Sequence, residues 1–323
     1  MQNILITGIT GQDGLFLTSK LLNENKQVKI FGVSREKNNN LFFKKLKTLT
    51  NIEDHNITLI NLNLENLNKV DFFIKDVMPT HIYNLSGPSS VYKSLNDDYR
   101  TYNQITNIFN NLIYSVENNM LNTKFFQASS SEMFGENTNG IFNEHSKLRP
   151  STPYAKAKYL NHIEVIRLFE QKGWDIHSGI MFNHESEFRA NEYLFMKIIN
   201  SAKDIKNNEI NNFEVGSLDI ERDWTFAGDT ADAIFKITNQ GNESNYVIGS
   251  GKGYKIKDLI EIVFNYFDLR FEEYLIVNED LNRKENLIKV VSSPNRIKKE
   301  LSWEATLGFK DLVIRCIEKK YYE

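Results

Sequence analysis

Two residues near the middle of the chain, Tyr154 and Lys158, are of types that could carry acid–base chemistry. Their spacing of four places both side chains on the same face of a helix, provided that this segment is helical. An ammonium group close to a phenol, together with the positive charge of a bound ligand, lowers the pKa of the phenol, which could then act as a base near neutral pH. Because such pairs are also common on protein surfaces, their interpretation depends on the residues around them.

A run of hydroxyl groups followed by a carboxylate lies upstream, in residues 125–135 (FFQASSSEMFG). The apolar beginning predicts a buried strand, and the polar end would lie where the strands of a parallel sheet face their ligand. Ser130 and Glu132 are therefore candidates to act together with Tyr154. The alternative is that the serines cap backbone groups and that Glu132 is solvated.

Glycines at intervals of three occur in residues 8–14 (GITGQDG), directly after an apolar segment and before an amphipathic one. Such glycines allow a tight turn, a close approach of backbone N–H groups to a pyrophosphate, and close helix packing. The alternative is a purely structural turn. The position between a predicted strand and a predicted helix favours a dinucleotide-binding turn.

The end of the second predicted strand indicates which dinucleotide would bind. An acidic residue there would bind the ribose 2′-hydroxyl of NAD, whereas this sequence has Ser34 and Arg35. A hydroxyl and a guanidinium suit a 2′-phosphate, so we expect NADP. Glu36 argues for NAD, and Arg35 could alternatively be a solvated surface residue.

Short apolar runs alternate with amphipathic stretches through roughly the first 180 residues, which is the pattern of βαβ units around a parallel sheet. The runs predicted as strands are 3–7, 28–33, 58–62, 81–85, 124–128 and 176–181, and residues 15–23 are predicted as the first helix. A later helix has one apolar face, made of Ile105, Ile108, Phe109, Leu112 and Ile113. We predict an α/β fold, a Rossmann-type doubly wound parallel sheet with a smaller mixed α/β substrate domain.

The alternation weakens after Asn183, and residues 222–238 look like a return to the first domain. This predicts a dinucleotide-binding domain of residues 1–182 plus about 217–250. The second, substrate-binding domain would comprise residues 183–216 plus 251–323 and would cover the cleft.

The composition is that of a packed globular protein, since the 323 residues are 41% hydrophobic and 25% charged. The net charge of −3, with basic residues scattered among acidic ones, argues against a nucleic-acid-binding surface. The single cysteine, Cys316, excludes an internal disulfide and a cysteine-cluster metal site and fits a reducing compartment. Without a membrane-spanning apolar run or a signal-like start, we expect a cytoplasmic protein with no metal and a small-molecule partner.

Together these motifs resemble those of the extended short-chain dehydrogenase/reductases and, within them, the GDP-mannose 4,6-dehydratases, over nearly the whole chain. Residues 8–14 resemble the nucleotide turn of that family, and residues 128–132 resemble its Ser-Thr-Ser-Glu segment with Ser130 in place of Thr. Residues 151–158 are similar to its Tyr/Lys motif. Two further segments, 182–186 (FNHES) and 222–224 (RDW), are similar to segments characteristic of the GDP-sugar subgroup.

The resemblance implies roles for the residues at the matching positions. The catalytic residues would be Ser130, Glu132, Tyr154 and Lys158. The residues implied to hold NADP are Gly8, Thr10, Gly11, Gln12, Asp13, Gly14, Ser34, Arg35, Asn63, Leu64, Leu85, Tyr154 and Lys158. Those implied to bind the GDP-sugar are Ser86, Ser90, Asn183, Lys197, Arg222 and Arg283. Asn183 would meet the diphosphate and Lys197 the nucleotide end.

Two segments depart from the family pattern. Residues 283–288 read RKENLI where the family has Arg-Pro-x-Glu-Val-Asp, and residues 85–91 read LSGPSSV where it has Leu-Ala-Ala-Gln-Ser-His-Val. Pro88 and Ser90 lie where the sugar would bind. The hexose could therefore differ from mannose, and GDP-linked N-acetylglucosamine is the alternative.

The activity implied by the resemblance is a 4,6-dehydration. Tyr154 would deprotonate the sugar 4-hydroxyl while hydride leaves C4, and Glu132 would take the C5 proton before water leaves C6 and hydride returns there. A 4-epimerase or 4-reductase on the same scaffold is one alternative, and a non-catalytic nucleotide-binding sensor is another. Glu132 favours elimination, because epimerisation at C4 needs no base at C5.

The resemblance also implies a homodimer, or a tetramer built from dimers. The helices that carry Leu112 and Tyr154 would form a four-helix contact, which Tyr159, Ile163 and Ile166 would extend. The alternative is that this apolar face packs against the sheet of its own chain.

Overall fold

The predicted alternation of strands and helices is present in the computed structural model, which describes residues 2–25, 27–35, 40–50, 56–88, 98–135, 139–281 and 288–318. The strands are β1 (Gln2–Thr7), β2 (Val28–Val33), β3 (Ile57–Ile60), β4 (His81–Asn84), β5 (Lys124–Ser130), β6 (Asn139–Phe142), β7 (Ile176–Met181), β8 (Asn183–Glu185), β9 (Phe213–Val215), β10 (Glu221–Arg222), β11 (Trp224–Phe226), β12 (Asn245–Ile248), β13 (Tyr254–Lys255), β14 (Leu275–Val277) and β15 (Lys289–Ser292). The α-helices are α1 (Gln12–Glu24), α2 (Asn40–Lys47), α3 (Leu67–Val77), α4 (Asp98–Asn118), α5 (Pro153–Lys172), α6 (Leu194–Lys206), α7 (Ala227–Gln240), α8 (Ile256–Tyr266), α9 (Asn295–Leu301) and α10 (Phe309–Glu318).

The main sheet has seven parallel strands in the order β12-β7-β5-β4-β1-β2-β3. The chain proceeds outward from β1 through β2 and β3, and then returns to place β4 on the other side of β1. The strand order therefore reverses between β1 and β4, where a ligand crevice is expected outside the carboxyl ends of the strands. This topology confirms the predicted Rossmann-type fold class.

Both faces of the main sheet are covered, as the unbroken apolar strands predict. In β1, Ile4 and Ile6 pack into the core on one face, and Leu5 packs into the core on the other. Helices α1 and α7 cover the first face, and α3, α4 and α5 cover the second. The apolar face predicted for α4 is buried along its whole length.

A smaller mixed region lies beyond the carboxyl ends of the main sheet's strands. Its four-stranded sheet has the order β13-β10-β15-β6, and two further pairs are formed by β8 with β11 and by β9 with β14. Helices α6, α8 and α10 enclose a separate apolar core that includes Cys316. The four-stranded sheet takes strands from both predicted domains, because β6 precedes residue 182 and β15 follows residue 251. The domain boundaries stay a prediction.

The described residues lack two features. No helix there combines the length and the apolarity that a membrane span needs. The same residues contain no group of three or more His, Cys, Asp or Glu side chains placed to hold a metal ion.

Candidate active site

Many of the predicted site residues lie at one edge of the main sheet. Strands β1, β4, β5 and β7 are parallel neighbours in that sheet, so their carboxyl ends lie side by side. The segments that follow them are the glycine turn, residues 85–88, the 3-10 helix Ser131–Phe134, and β8. Sequence segments more than 170 residues apart therefore form one crevice.

The glycine turn closes tightly onto its neighbours. The N–H of Gly8 donates to the carbonyl of Val33 at 3.0 Å, and the N–H of Gly11 donates back to Gly8 at 3.0 Å. Gly14 lies against the turn itself, since a Cβ there would lie 2.5 Å from the Cα of Ile9. The amino end of α1 is thereby brought to the end of β1, where free N–H groups and the helix dipole suit a phosphate.

The side chains of Gln12 and Asp13 point away from that phosphate position and bind β8. Gln12 donates from Nε2 to the carbonyl of His184 at 2.9 Å and accepts from the hydroxyl of Ser186 at 2.9 Å. Asp13 pairs with the imidazole of His184. Cofactor contacts from these two residues would therefore come from the backbone, which the sequence alone did not predict.

The end of β2 places Ser34 and Arg35 beside the glycine turn. Ser34 is buried, and its hydroxyl lies 3.2 Å from that of Thr10. Arg35 is exposed, so its guanidinium can reach a ligand that lies across the turn. Glu36, which weighed against NADP in the sequence, lies outside the described residues.

Tyr154 and Lys158 lie on the buried face of α5, whose first turn is capped by Thr152. Nζ of Lys158 lies 5.8 Å from the centre of the Tyr154 ring and donates to the carbonyl of Ala128 at 2.8 Å. Burial lowers the pKa of Lys158 to about 8, although the charge of Asp13 acts in the opposite direction. The two side chains are brought together as the spacing predicts.

The Tyr154 phenol differs from the sequence-based expectation in its ionisation. Burial raises the pKa of Tyr154 well above its ordinary value, although a hydrogen bond with Ser130 lowers it. The residues of the protein alone do not produce the expected lowering, because removing the phenolate from water costs more than its neighbours supply. A positive charge brought by a ligand would act in the opposite direction.

Two buried amide side chains form a hydrogen-bonded chain that ends at the carbonyl oxygen bound by Lys158. The sequence analysis missed these amides. Asn84 accepts from the hydroxyl of Thr7 at 2.7 Å and donates to Gln127 at 2.8 Å. Gln127 then donates to the carbonyl of Ala128 at 2.9 Å, the same oxygen that Lys158 uses. Amide side chains within otherwise apolar strands were the available signal, because a buried amide needs polar partners.

Glu132, Asn183 and Arg222 line one pocket, together with Ser131, Phe134, Gly135 and Val290. Glu132 follows β5, and Ser130 accepts a hydrogen bond from its N–H at 3.2 Å. Strand β8 begins at Asn183, and strand β10 ends at Arg222. The pocket is therefore lined by residues of both the main sheet's edge and the smaller region. A carboxylate, an amide and a guanidinium around one space suit a polar, anionic ligand.

The remaining predicted residues are more dispersed. Leu85 and Ser86 are half-buried after β4, Leu64 is buried, and Asn63 is exposed beyond β3. Lys197 is exposed on the first turn of α6 and is not part of the pocket lining described above. Ser90 and Arg283 lie outside the described residues, so their predicted roles stay predictions.

Arg189 and Tyr193 are two further residues near Tyr154 that the sequence analysis did not select. The guanidinium of Arg189 lies 3.6 Å from the centre of the Tyr193 ring, and its Nε lies 3.1 Å from Oε2 of buried Glu185. The charge of Arg189 lowers the pKa of Tyr154, whereas Tyr193 raises it. The signal was a basic residue three positions after the FNHES segment.

Asp223, the centre of the RDW segment, fixes the strand that carries Arg222. Its buried carboxylate accepts from the N–H and hydroxyl of Ser250, the N–H of Gly251, and the N–H and hydroxyl of Ser292. Trp224 stacks on Phe309, with the ring centres 5.4 Å apart. The segment thus contributes one pocket residue, Arg222, and two structural anchors.

A family model described as GDP-mannose 4,6 dehydratase matches residues 5–316. GDP-mannose 4,6 dehydratase 2 of Arabidopsis thaliana is 28% identical over 324 residues, which cover 98% of this chain and 86% of that protein. GDP-mannose 4,6 dehydratase of Homo sapiens is 30% identical over 267 residues, which cover 80% of this chain and 71% of that protein.

Solved structures of several sugar-nucleotide enzymes share the fold. UDP-glucose 4-epimerase of Thermotoga maritima, with UDP-glucose, has a TM-score of 0.83 at 17% identity and covers 99% of this chain and 98% of its own. dTDP-glucose 4,6-dehydratase of Bacillus anthracis, in complex with NAD, has a TM-score of 0.82 at 18% identity, covering 100% and 96%. RMD of Pseudomonas aeruginosa, complexed with NADPH, has a TM-score of 0.80 at 17% identity, covering 100% of both chains.

We expect Asp223→Asn to destabilise the protein, because an amide nitrogen would face donors that now meet a carboxylate oxygen. Buried donors without an acceptor cost about 1–3 kcal/mol each, so a loss of about 2–4 kcal/mol is expected. Urea denaturation would measure it. The matched control is Asp219→Asn, since Asp219 is exposed and pairs with Lys255 at the surface. Equal losses in the two variants would contradict the anchoring role of Asp223.

Proposed function

The chain belongs to the GDP-mannose 4,6-dehydratase family, and we propose that it is a hydro-lyase that converts a GDP-hexose to the GDP-4-keto-6-deoxy sugar with NADP as its cofactor. The observation that carries this proposal is the position of Glu132. Its carboxylate lines the same pocket as Asn183 and Arg222, and the adjacent Ser130 interacts with Tyr154. A carboxylate beside the Tyr/Lys pair is what an elimination requires.

The first half of the reaction, the oxidation at C4, would use Tyr154 and Lys158. Tyr154 accepts the proton of the sugar 4-hydroxyl, and Lys158 supplies positive charge that stabilises the phenolate while C4 becomes a ketone. Ser130 can donate a hydrogen bond to the C4 oxygen. NADP would be held by the glycine turn, Ser34 and Arg35, and its nicotinamide would supply the hydride chemistry at C4 and C6.

The second half would use Glu132. The C4 ketone acidifies the neighbouring C5 proton, which the Glu132 carboxylate accepts. The resulting carboxylic acid donates a proton to the C6 hydroxyl, which leaves as water and forms a C5–C6 double bond. Return of the hydride to C6 leaves negative charge that a proton from solvent neutralises at C5, and Tyr154 releases the proton of the 4-hydroxyl to solvent. The balance is the loss of one water and no net oxidation.

A 4-epimerase or 4-reductase would share the glycine turn, Tyr154 and Lys158. Such enzymes need no carboxylate base at C5, so the place of Glu132 in the pocket favours the dehydratase. A non-catalytic sensor would have no need of the assembled set of Ser130, Glu132, Tyr154 and Lys158.

The hexose is proposed only as a class, GDP-mannose or GDP-N-acetylglucosamine. Arg222 supplies the positive charge that a diphosphate needs. Asn183, exposed in the same pocket, supplies an amide for the diphosphate or the sugar. Ser90 and Arg283, whose neighbourhoods depart from the family pattern, lie outside the described residues.

We propose that the protein works in the cytoplasm as a homodimer, or as a tetramer of such dimers. Cys316 is a buried free thiol, which suits a reducing compartment. Helices α4 and α5 pack side by side, and their outer surfaces expose Tyr114, Leu160 and Ile163. Leu112 is fully buried and Tyr159 and Ile166 are half-buried, so these three pack at least partly within their own chain.

Glu132→Gln should separate the two halves of the reaction, because an amide keeps the shape but cannot accept the C5 proton. The purified variant and GDP-mannose or GDP-N-acetylglucosamine would be followed by mass spectrometry in deuterated buffer. We expect no product lighter by one water and no deuterium at C5, while oxidation at C4 remains visible as absorbance of the reduced cofactor. Tyr154→Phe is the control and should abolish both halves. Water loss by Glu132→Gln at near the wild-type rate would refute the mechanism.

Arg35→Ala should weaken NADP binding about tenfold or more while leaving NAD binding nearly unchanged, because charge-assisted bonds to a 2′-phosphate are worth about 1.5–3 kcal/mol. Calorimetry with both dinucleotides would measure the preference. Lys29→Ala removes an exposed cation of the same strand, distant from the turn, and should change neither affinity. An unchanged preference in Arg35→Ala would contradict the assignment of NADP to this side chain.

Ile163→Asp should convert the dimer to a monomer, because it places a charge at the centre of the exposed α4/α5 surface. Light scattering at micromolar concentration would measure the mass. Ile276→Asp is the matched control, since Ile276 is a similarly exposed isoleucine on β14. A monomeric wild-type protein, or equal masses for wild type and Ile163→Asp, would contradict the proposed dimer.

A further inference from the structure

The glycine turn and the strand that carries Asn183 are fastened to each other by side chains. Gln12 makes two hydrogen bonds across this contact, to the carbonyl of His184 and from the hydroxyl of Ser186. Nε2 of His184 lies 3.0 and 3.1 Å from the two carboxylate oxygens of Asp13, and its hydrogen bond is directed at Oδ2. The predicted cofactor site and substrate pocket therefore share a rigid connection.

The contacts of His184 fit a charged ring. Its second nitrogen, Nδ1, lies 2.8 Å from the carbonyl oxygen of Phe182, which can only accept. Nε2 faces the carboxyl group of Asp13, whose pKa lies below its ordinary value, so this group is ionised near neutral pH and accepts. Both ring nitrogens then donate, and the ring is an imidazolium. Asp13 lies in the first turn of α1, where the helix dipole favours a negative charge.

We propose that Asp13 and His184 are positioning residues of the active site, acting as a buried ion pair that holds the Asn183 strand against the glycine turn and sets the charge that Lys158 meets. The proposal rests on the proposed dehydratase function for its effect on turnover. Because side chains alternate along a strand, Asn183 lies on the face of β8 opposite His184. Anchoring the one residue thus fixes the direction of the other.

The charges around the pair support this role. Burial raises the pKa of Asp13, but His184, Arg189 and Lys158 together lower it further, and the pKa lies below its ordinary value. Burial and the charge of Arg189 lower the pKa of His184, but the Asp13 carboxylate and the hydrogen bond with the Phe182 carbonyl together raise it further, and the pKa lies above its ordinary value. Buried Glu185 is the remaining charged group on β8, and Arg189 and His184 act on it. Tyr154 meets the charges of Glu132, Tyr193 and Arg189.

The two partners should act on Lys158 in different ways. Burial alone lowers the pKa of Lys158, and the Asp13 charge keeps it from falling further. Removing that negative charge lowers the pKa of Lys158 and that of His184. Removing the imidazolium raises the pKa of Asp13. In the alkaline range, where Asp13 stays ionised, its negative charge still acts on Lys158, so the pKa of Lys158 does not fall. A role that was only structural would give both variants the same pH dependence.

The ionisation of His184 can be tested without any turnover, by ¹⁵N NMR of the histidine rings in the full-length protein. We expect both ring nitrogens of His184 to carry protons above pH 6.5, the ordinary pKa of histidine. Asp13→Asn should make the ring neutral at pH 7, whereas Asp13→Glu should keep the imidazolium. A neutral His184 in the wild type, or an unchanged ring in Asp13→Asn, would overturn the proposal.

The positioning role is tested by the pH profile of kcat/KM for GDP-mannose or GDP-N-acetylglucosamine. We expect Asp13→Asn and His184→Gln to lower kcat/KM about tenfold or more. The alkaline limb should move down by roughly 1 pH unit in Asp13→Asn and should not move down in His184→Gln. The matched control is Arg315→Lys, which loosens the same segment through the Glu187–Arg315 pair without touching the turn. It should change kcat/KM less than threefold.

Equal losses in Arg315→Lys and His184→Gln, or the same alkaline limb in both pair variants, would overturn the positioning role. A wild-type protein without dehydratase activity on any GDP-hexose would contradict the proposed function alone. In that case the NMR titration still decides whether the ion pair exists.

Discussion

The active site depends on keeping one ammonium group inside the protein. Lys158 is 5% exposed, and the loss of water around its ammonium lowers its pKa to about 8. Two interactions oppose this loss, the carbonyl of Ala128 at 2.8 Å and the negative charge of Asp13. These come from β5 and from α1, while the lysine comes from α5. Strand β5 and helices α1 and α5 must therefore all be in place before Lys158 can hold a proton.

The substrate pocket depends on polar anchors between the two sheets. Asp223 ties the strand of Arg222 to the turn at Ser250 and to β15 through separate hydrogen bonds. Replacing either partner of such a contact leaves a buried polar group without its partner, which is why these anchors are costly to lose. They fix the side of the pocket that faces away from the main sheet.

Different environments separate the two proposed proton transfers. Tyr154 is buried, and burial keeps its phenol protonated until positive charge arrives. Glu132 is only half-buried, at the mouth of the same crevice. In the proposed mechanism, the buried phenol acts in the oxidation at C4, and the more accessible carboxylate acts in the elimination that follows.

The sequence by itself determined the local features. The apolar runs predicted strands β1 to β5 and β7, the glycine turn predicted the start of α1, and the spacing of Tyr154 and Lys158 predicted their shared helix face. These features depend on neighbours a few residues away, so periodicity and residue type are sufficient. The family resemblance, which the family model and the relatives confirm, added the segments around Asn183 and Arg222.

Only the tertiary structure decided which distant side chains meet. It showed that the Gln12 and Asp13 side chains bind β8, that Asn84 and Gln127 support Lys158, and that burial raises the pKa of Tyr154. Each of these depends on contacts between segments far apart in the chain or on the exclusion of water. Long-range contacts and the exclusion of water leave no periodic pattern in the sequence. A hydrogen bond across a crevice depends on which distant segment the fold brings there, and not on the residues that neighbour it in the sequence.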